Sequence, residues 1–169
     1  MKNYLVIGNP IEHSLSPRLH NYWIKDIGID AIYEKKQLNE DEIKNLILKI
    51  REQKINGVNV TVPFKKRVIN HLDDLSLEAK KTQSVNTIYL KDNKVVGHNT
   101  DIEGFELGIK NLKFNIIDKK ILILGAGGVV PSIIFALNRM RASEIIVSNR
   151  TKARTEELKN LFKNLKIVD

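Results

Sequence analysis

The chain has 169 residues, 42% of them hydrophobic, no cysteine and a formal net charge of +8. Without cysteine there are no disulfides or thiolate metal sites, no apolar run reaches transmembrane length, and the N-terminus lacks the basic and apolar regions of a signal peptide, so the expected location is cytoplasmic. The positive charge is spread along the chain, dense only at Lys65–Arg67 and Arg150–Arg154 and not interleaved with aromatics, which points to small phosphates and carboxylates as partners rather than nucleic acid or a membrane.

Tyr4 to Gly8 reads as a short buried strand that stops at the turn signal Gly8-Asn9-Pro10. Ile11 to Pro17 then leads into a helix with Leu19, Tyr22, Trp23 and Ile27 on one face, ended by Gly28. Ser16 suits the N-cap, with Pro17 at the first helical position, while Ser14 has no such structural task. Two serines on a loop before a helix can also donate hydroxyl hydrogen bonds to a substrate carboxylate. Ala31 to Lys35 is expected to be a second strand, and Asn39 with Glu42 has the form of a capping box before a helix with Ile43, Leu46, Ile47 and Ile50 on one face. Gly57 to Val62 makes a third strand. Strand and helix alternating at these spacings predict a parallel sheet whose ligand site lies at the carboxyl ends of the strands, where residues 8–16 and 61–65 both fall.

Lys65 follows the third strand, either as one of three adjacent surface cations or as a functional ammonium. Asp101 opens a helix expected over Asp101 to Leu112, with Phe105 and Ile109 inward. There the carboxylate suits the helix dipole, and Thr100 with Glu103 can form a capping box. The four histidines are not at metal-ligand spacing, so no metal is expected. A polar turn around Asn115 to Lys120 comes next.

Ile121 to Val130 reads ILILGAGGVV. Four apolar residues predict a buried parallel strand, Gly125, Gly127 and Gly128 permit a sharp turn, and a helix apolar nearly all round follows, with Pro131 tolerated in its first turn. Unpaired amides and the helix dipole then face whatever sits over the loop, so Gly125, Ala126, Gly127, Gly128 and Val129 are candidates for holding a dinucleotide pyrophosphate. Val130 stands where G-x-G-x-x-G has its third glycine, and a tight turn without ligand is the competing reading. The next strand, Glu144 to Ser148, ends in Ser148-Asn149-Arg150-Thr151-Lys152-Ala153-Arg154. NAD needs a carboxylate there and none is present, whereas Arg150 and Arg154 suit the extra phosphate of NADP, with Asn149 and Thr151 beside them. The alternative is a solvated helix start with Thr151 as N-cap. A helix with Leu158, Leu161, Phe162 and Leu165 comes last, and Lys166 to Asp169 reads as the start of another strand.

The blocks Gly8-Asn9-Pro10-Ile11-Glu12-His13-Ser14-Leu15-Ser16-Pro17, Gly57 to Lys65, Ser84-Val85-Asn86-Thr87 and Gly97-His98-Asn99-Thr100-Asp101, taken in order, closely resemble the shikimate dehydrogenase (shikimate/quinate dehydrogenase) family. The resemblance implies an α/β fold: a substrate-binding domain with a mostly parallel sheet over 1–101, a connecting helix and linker over 102–115, and the first part of a Rossmann-type NADP-binding domain over 116–169. It implies NADPH-dependent, reversible reduction of 3-dehydroshikimate to shikimate by a monomer or homodimer. Ser14 and Ser16 would hold the substrate carboxylate, Thr61, Asn86 and Asn59 the ring hydroxyls, and Lys65 and Asp101 would form the catalytic pair. The ending departs from the family: a dinucleotide domain has two βαβαβ halves, residues from Ile116 onward supply barely one, and roughly the last hundred expected residues are absent. A fragment or truncated gene product is therefore expected. Two other readings stand beside the first: a binding module without catalysis, and a relative acting on quinate with NAD or NADP.

Overall fold

A computed structural model describes residues 1–168 and divides the chain into two units, Met1–Ala79 with Val85–His98, and Lys80–Ser84 with Asn99 onward. In the first unit the strands are β1 (Lys2–Gly8), β2 (Ala31–Gln37), β3 (Gly57–Val60), β4 (Asp74–Leu75), β5 (Thr87–Lys91) and β6 (Lys94–His98), in the sheet order β2-β1-β3-β5-β6-β4. Side chains of β1 alternate between two faces, as a strand flanked on both sides requires. Leu5 and Ile7 pack with Val58, Val60 and Ile88 and with Ile43, Leu46, Ile47 and Ile50 of α2 (Ile43–Arg51). Tyr4 and Val6 turn the other way, onto Ile11, Tyr33 and Ile24 of α1 (Ser16–Asp26).

Parallel pairing joins β1 to β2 and β3, as the alternation of elements predicts. Beyond β3 the sheet changes sense, because β5 and β6 form an antiparallel hairpin whose turn residues Asp92 and Asn93 both adopt left-handed φ of 49° and 60°. The expected capping box before α2 is present: the Asn39 amide donates to Glu42 Oε2 at 2.8 Å. β3 is shorter than expected and stops at Val60; Thr61 to Phe64 forms a turn, closed by the Phe64 amide donating to the Thr61 carbonyl at 2.9 Å.

Two expectations for α1 are corrected. Leu19, Tyr22, Trp23 and Ile27 are exposed and no residue of the helix is fully buried. The helix docks instead by His20, Asn21 and Ile24; the Asn21 carboxamide accepts from the Tyr33 amide at 2.9 Å and donates to the Tyr33 carbonyl at 2.7 Å. Ser16 is not the N-cap. Leu15 occupies that position, and Ser14 Oγ accepts the Ser16 amide at 3.3 Å, which gives Ser14 the structural task it lacked.

In the second unit β7 (Lys120–Leu124), β8 (Glu144–Ser148) and β9 (Lys166–Val168) run parallel in that order, with helices α4 (Asp101–Asn111), α5 (Val130–Arg139) and α6 (Lys152–Leu161). A short helix, α3 (Leu77–Thr82), precedes β5 in the chain. Val130, Ile134, Leu137, Ile145, Val147, Leu158 and Leu165 form the core, with Phe105 and Ile109 of α4 packed against it. The last strand appears as expected up to Val168; Asp169 lies outside the described residues. Ile121 to Leu124 was expected to be buried and is so on one face only: Ile121 and Ile123 pack against the core, while Leu122 and Leu124, which alternation places on the opposite face, are 57% and 79% exposed. The Thr100–Glu103 capping box does not form. Thr100 makes no side-chain cap bond, and the Asp101 amide is taken by Asn99 Oδ1 at 3.0 Å. Among the described residues, no helix is long and apolar enough to cross a membrane.

Candidate substrate and cofactor sites

The carboxyl ends of β1 and β3 meet closely. The Thr61 amide donates to the Ile7 carbonyl and the Asn9 amide to the Val62 carbonyl, at 2.9 and 3.0 Å. A Cβ on Gly8 would lie 2.6 Å from Thr61 Cγ2, so no other residue fits there without displacing the threonine. Ser14, Ser16, Asn59, Thr61, Lys65 and Asn86 are all half-buried, neither solvated outright nor lost in the core. Main-chain bonds fix Asn86 and Lys65 against the sheet: the Val60 amide donates to the Asn86 carbonyl at 2.8 Å, the Asn86 amide to the His98 carbonyl at 3.0 Å, and the Val85 amide to the Lys65 carbonyl at 2.9 Å.

Side chains tie the cluster together. Asn59 Nδ2 donates to the Asn86 carbonyl at 3.3 Å and to Thr87 Oγ1 at 3.2 Å, and Thr87 Oγ1 in turn donates to Asn86 Oδ1 at 3.1 Å. Tyr33 Oη donates to Asn59 Oδ1 at 2.7 Å. Burial pushes the Tyr33 hydroxyl up to about 12, with Ser16 opposing, so it stays protonated. Tyr33 and Thr87 were missed in the sequence. A tyrosine in a strand looks like core, and the one available signal was parity: Tyr33 aligns with Tyr4 and Asn59 with Val6, which share one face of β1.

Within the second unit Asp101 is half-buried at the first turn of α4, held by Asn99. Asn99 is fully buried; its Nδ2 faces Thr82 Oγ1, the Ser84 carbonyl and Ser132 Oγ at 3.1, 2.9 and 2.8 Å. Gly125 takes a φ of +106°, which a residue with a side chain would adopt only with strain, and a Cβ at Gly127 would meet nothing within 4 Å. The glycines are therefore not imposed by internal packing; the space over the loop is open, as a ligand approaching the backbone requires. Gly127, Gly128 and Val129 are exposed. The Ala126 amide is different, since Asn149 Oδ1 accepts it at 3.2 Å while Asn149 Nδ2 donates to the Thr151 carbonyl at 3.0 Å. Asn149 thus pins the loop after β8 to the glycine turn and leaves Arg150, Thr151 and Arg154 exposed at its rim. Thr151 sits at the N-cap of α6 without a side-chain cap bond.

Residues 6–88 match the family model described as shikimate dehydrogenase substrate binding domain, and residues 106–168 match that described as shikimate / quinate 5-dehydrogenase. The shikimate dehydrogenase (NADP(+)) of Pelagibacter ubique is 57% identical over 167 residues, covering 99% of this chain and 63% of the relative. The chain belongs to the shikimate/quinate dehydrogenase family. Its backbone is similar to the crystal structure of shikimate dehydrogenase from Aquifex aeolicus, with a TM-score of 0.92 at 38% identity over 100% of this chain and 63% of that one. It is also similar to the Thermus thermophilus shikimate 5-dehydrogenase in complex with NADP(H) and shikimate, with a TM-score of 0.89 at 32% identity over 100% of this chain and 63% of that one. The chain thus spans about three-fifths of the length of these family members.

Proposed function

We propose that the chain supplies the substrate site and the adenosine half of the cofactor site of an NADP-dependent shikimate dehydrogenase, which reversibly reduces 3-dehydroshikimate to shikimate. The observation that carries this reading is the half-buried cluster of Ser14, Ser16, Asn59, Thr61, Lys65 and Asn86 at the strand ends of the first unit. A neutral hydroxyl-rich cluster with one ammonium suits a polyhydroxylated carboxylate. Ser14 and Ser16 bind the carboxylate, and Thr61, Asn86 and Asn59 the ring hydroxyls. In this reading residues 1–101 hold the substrate, residues 116–169 begin the cofactor domain and residues 102–115 connect them; the enzyme is cytoplasmic and a monomer or homodimer.

NADPH, when bound, supplies the hydride. The residues present fit it, with an open glycine turn, two exposed arginines and no carboxylate at the end of β8. Gly125 to Val129 receive the pyrophosphate, and Arg150 and Arg154, with Asn149 and Thr151, the adenosine phosphate. Reducing a ketone leaves a developing alkoxide; in this reading Lys65 is assigned to neutralise it, and Lys65 or Asp101 to pass the proton.

Steady-state assay with shikimate and NADP tests the reading, with quinate and NAD as the alternative pair. NADP reduction by shikimate well above that with quinate supports it; preference for quinate and NAD contradicts it. A second reading, binding without turnover, is favoured by the exposed Leu122 and Leu124, and saturable binding without NADP reduction would establish it.

A further inference from the structure

Within the second unit, hydrogen bonds run without a break from the glycine turn to Asp101. The Val130 amide donates to the Gly127 carbonyl and the Ser132 amide to the Val129 carbonyl, both at 3.0 Å. Asn99 Nδ2 donates to Ser132 Oγ at 2.8 Å, in the first turn of α5, and Asn99 Oδ1 accepts the Asp101 amide at 3.0 Å, at the head of α4. We propose that Ser132 is a positioning residue: through the Asn99 carboxamide it ties the place of Asp101 to the state of the glycine turn, so that a phosphate ligand on Gly125 to Val129 is felt at Asp101. This rests on the function proposed above, which puts the cofactor on that turn.

Three observations carry the coupling. Asn99 and Ser132 are both fully buried, so solvent does not compete for the bond between them. The carboxamide has one orientation, because only its oxygen can accept the Asp101 amide, which leaves both Nδ2 hydrogens for the other side. Those two hydrogens face three acceptors: Ser132 Oγ at 2.8 Å, the Ser84 carbonyl at 2.9 Å and Thr82 Oγ1 at 3.1 Å. An amide with more acceptors than protons has more than one satisfied arrangement, and a small displacement of one acceptor selects between them. Ser132 is the acceptor that belongs to α5, the helix whose N-cap is Val129 of the glycine turn. The third observation is the serine itself. Alanine is the better helix former and would fill a buried helical position without a hydroxyl to satisfy, so it is the bond to Asn99 that gives the serine a purpose. When a phosphate draws the amides of the turn towards it, the head of α5 and Ser132 Oγ move with them. The carboxamide then shifts between Ser132 and the Ser84 and Thr82 acceptors, and its oxygen carries the Asp101 amide along.

The test is an NMR titration of the 169-residue chain with 2′,5′-ADP in wild type, Ser132→Ala and Thr82→Val. Ser132→Ala removes one acceptor of three, so each Nδ2 hydrogen keeps a partner and the variant is expected to stay folded. In wild type the Asn99 side-chain amide and the Asp101 backbone amide are expected to shift along the same saturation curve as Gly125 to Val129. In Ser132→Ala the glycine turn is expected to saturate within about twofold of the wild-type affinity, while the shifts at Asn99 and Asp101 shrink at least about twofold. Thr82→Val removes an acceptor outside α5 and is expected to keep the wild-type response. Unmoved Asn99 and Asp101 signals in saturated wild type, a full response in Ser132→Ala, or an equal loss in Thr82→Val would overturn the coupling and leave the functional reading intact. A wild-type chain that does not bind 2′,5′-ADP would overturn the cofactor reading together with it.

Discussion

Lys65 is the side chain on which the proposed chemistry turns. Lys65→Ala is expected to lower turnover far more than it weakens substrate binding, because an ammonium matters most as charge develops on the alkoxide. Steady-state kinetics checks this; a raised KM with unchanged kcat would assign Lys65 to ground-state binding alone. Arg150 makes a separate prediction. Losing one charge-assisted phosphate contact costs about 1.5 to 3 kcal/mol, so Arg150→Ala should bind 2′,5′-ADP at least tenfold more weakly by calorimetry. Tyr33 gives a pH signature. Its hydroxyl sits at about 12 in the fold against an ordinary 10.0, so the folded state keeps the proton longer than the unfolded chain does. Its contribution is intact below pH 10.0 and is lost as pH rises towards 12. Between about pH 9 and about pH 11 the wild type should lose about 1.4 kcal/mol more stability than Tyr33→Phe, measured by urea denaturation.

At the scale of elements, Asn99 and the edge strand β7 decide what is robust. Asn99→Ala would leave Thr82, Ser84 and Ser132 facing a buried void and free the Asp101 amide. Such a change costs roughly 2 to 4 kcal/mol, visible as a lowered denaturation midpoint. β7 offers its outer edge with Leu122 and Leu124 exposed, so amide exchange should be faster across Ile121–Leu124 than across β1, which is paired on both sides. Strand-helix alternation and the β1, α2, β8 and β9 segments were legible because apolar periodicity and turn residues agreed there. The α1 face was not. Leu19, Tyr22, Trp23 and Ile27 make a convincing apolar stripe, yet a polar residue, Asn21, docks the helix by bonding to backbone, which no periodicity reveals. Ser16 misled for a related reason: a Ser-Pro start satisfies the capping rule, but Leu15 is already helical and its carbonyl accepts the Leu19 amide, so the helix begins one residue earlier. The β5–β6 hairpin was hidden because its turn is Asp92-Asn93 rather than a glycine pair. Tyr33 and Thr87 could not be found by motif, since their part in the site exists only once β1, β2, β3 and β5 are aligned.

For the whole molecule, the two family matches follow the two units in chain order, residues 6–88 over most of the first and residues 106–168 over most of the second, with Lys80–Ser84 of the second unit inside the first match. The first carries the polar cluster proposed to bind shikimate, the second the glycine turn and arginines proposed to bind NADP. Each ligand should therefore report on its own set of residues. The most direct measurement is a backbone and side-chain NMR titration of the 169-residue chain with shikimate and then with 2′,5′-ADP. The account predicts saturable shifts with shikimate at Ser14, Ser16, Asn59, Thr61, Lys65 and Asn86, and with 2′,5′-ADP at Gly125 to Val129 and Asn149 to Arg154. Shikimate that leaves the first set unmoved, or that shifts residues around Gly125 instead, would contradict it.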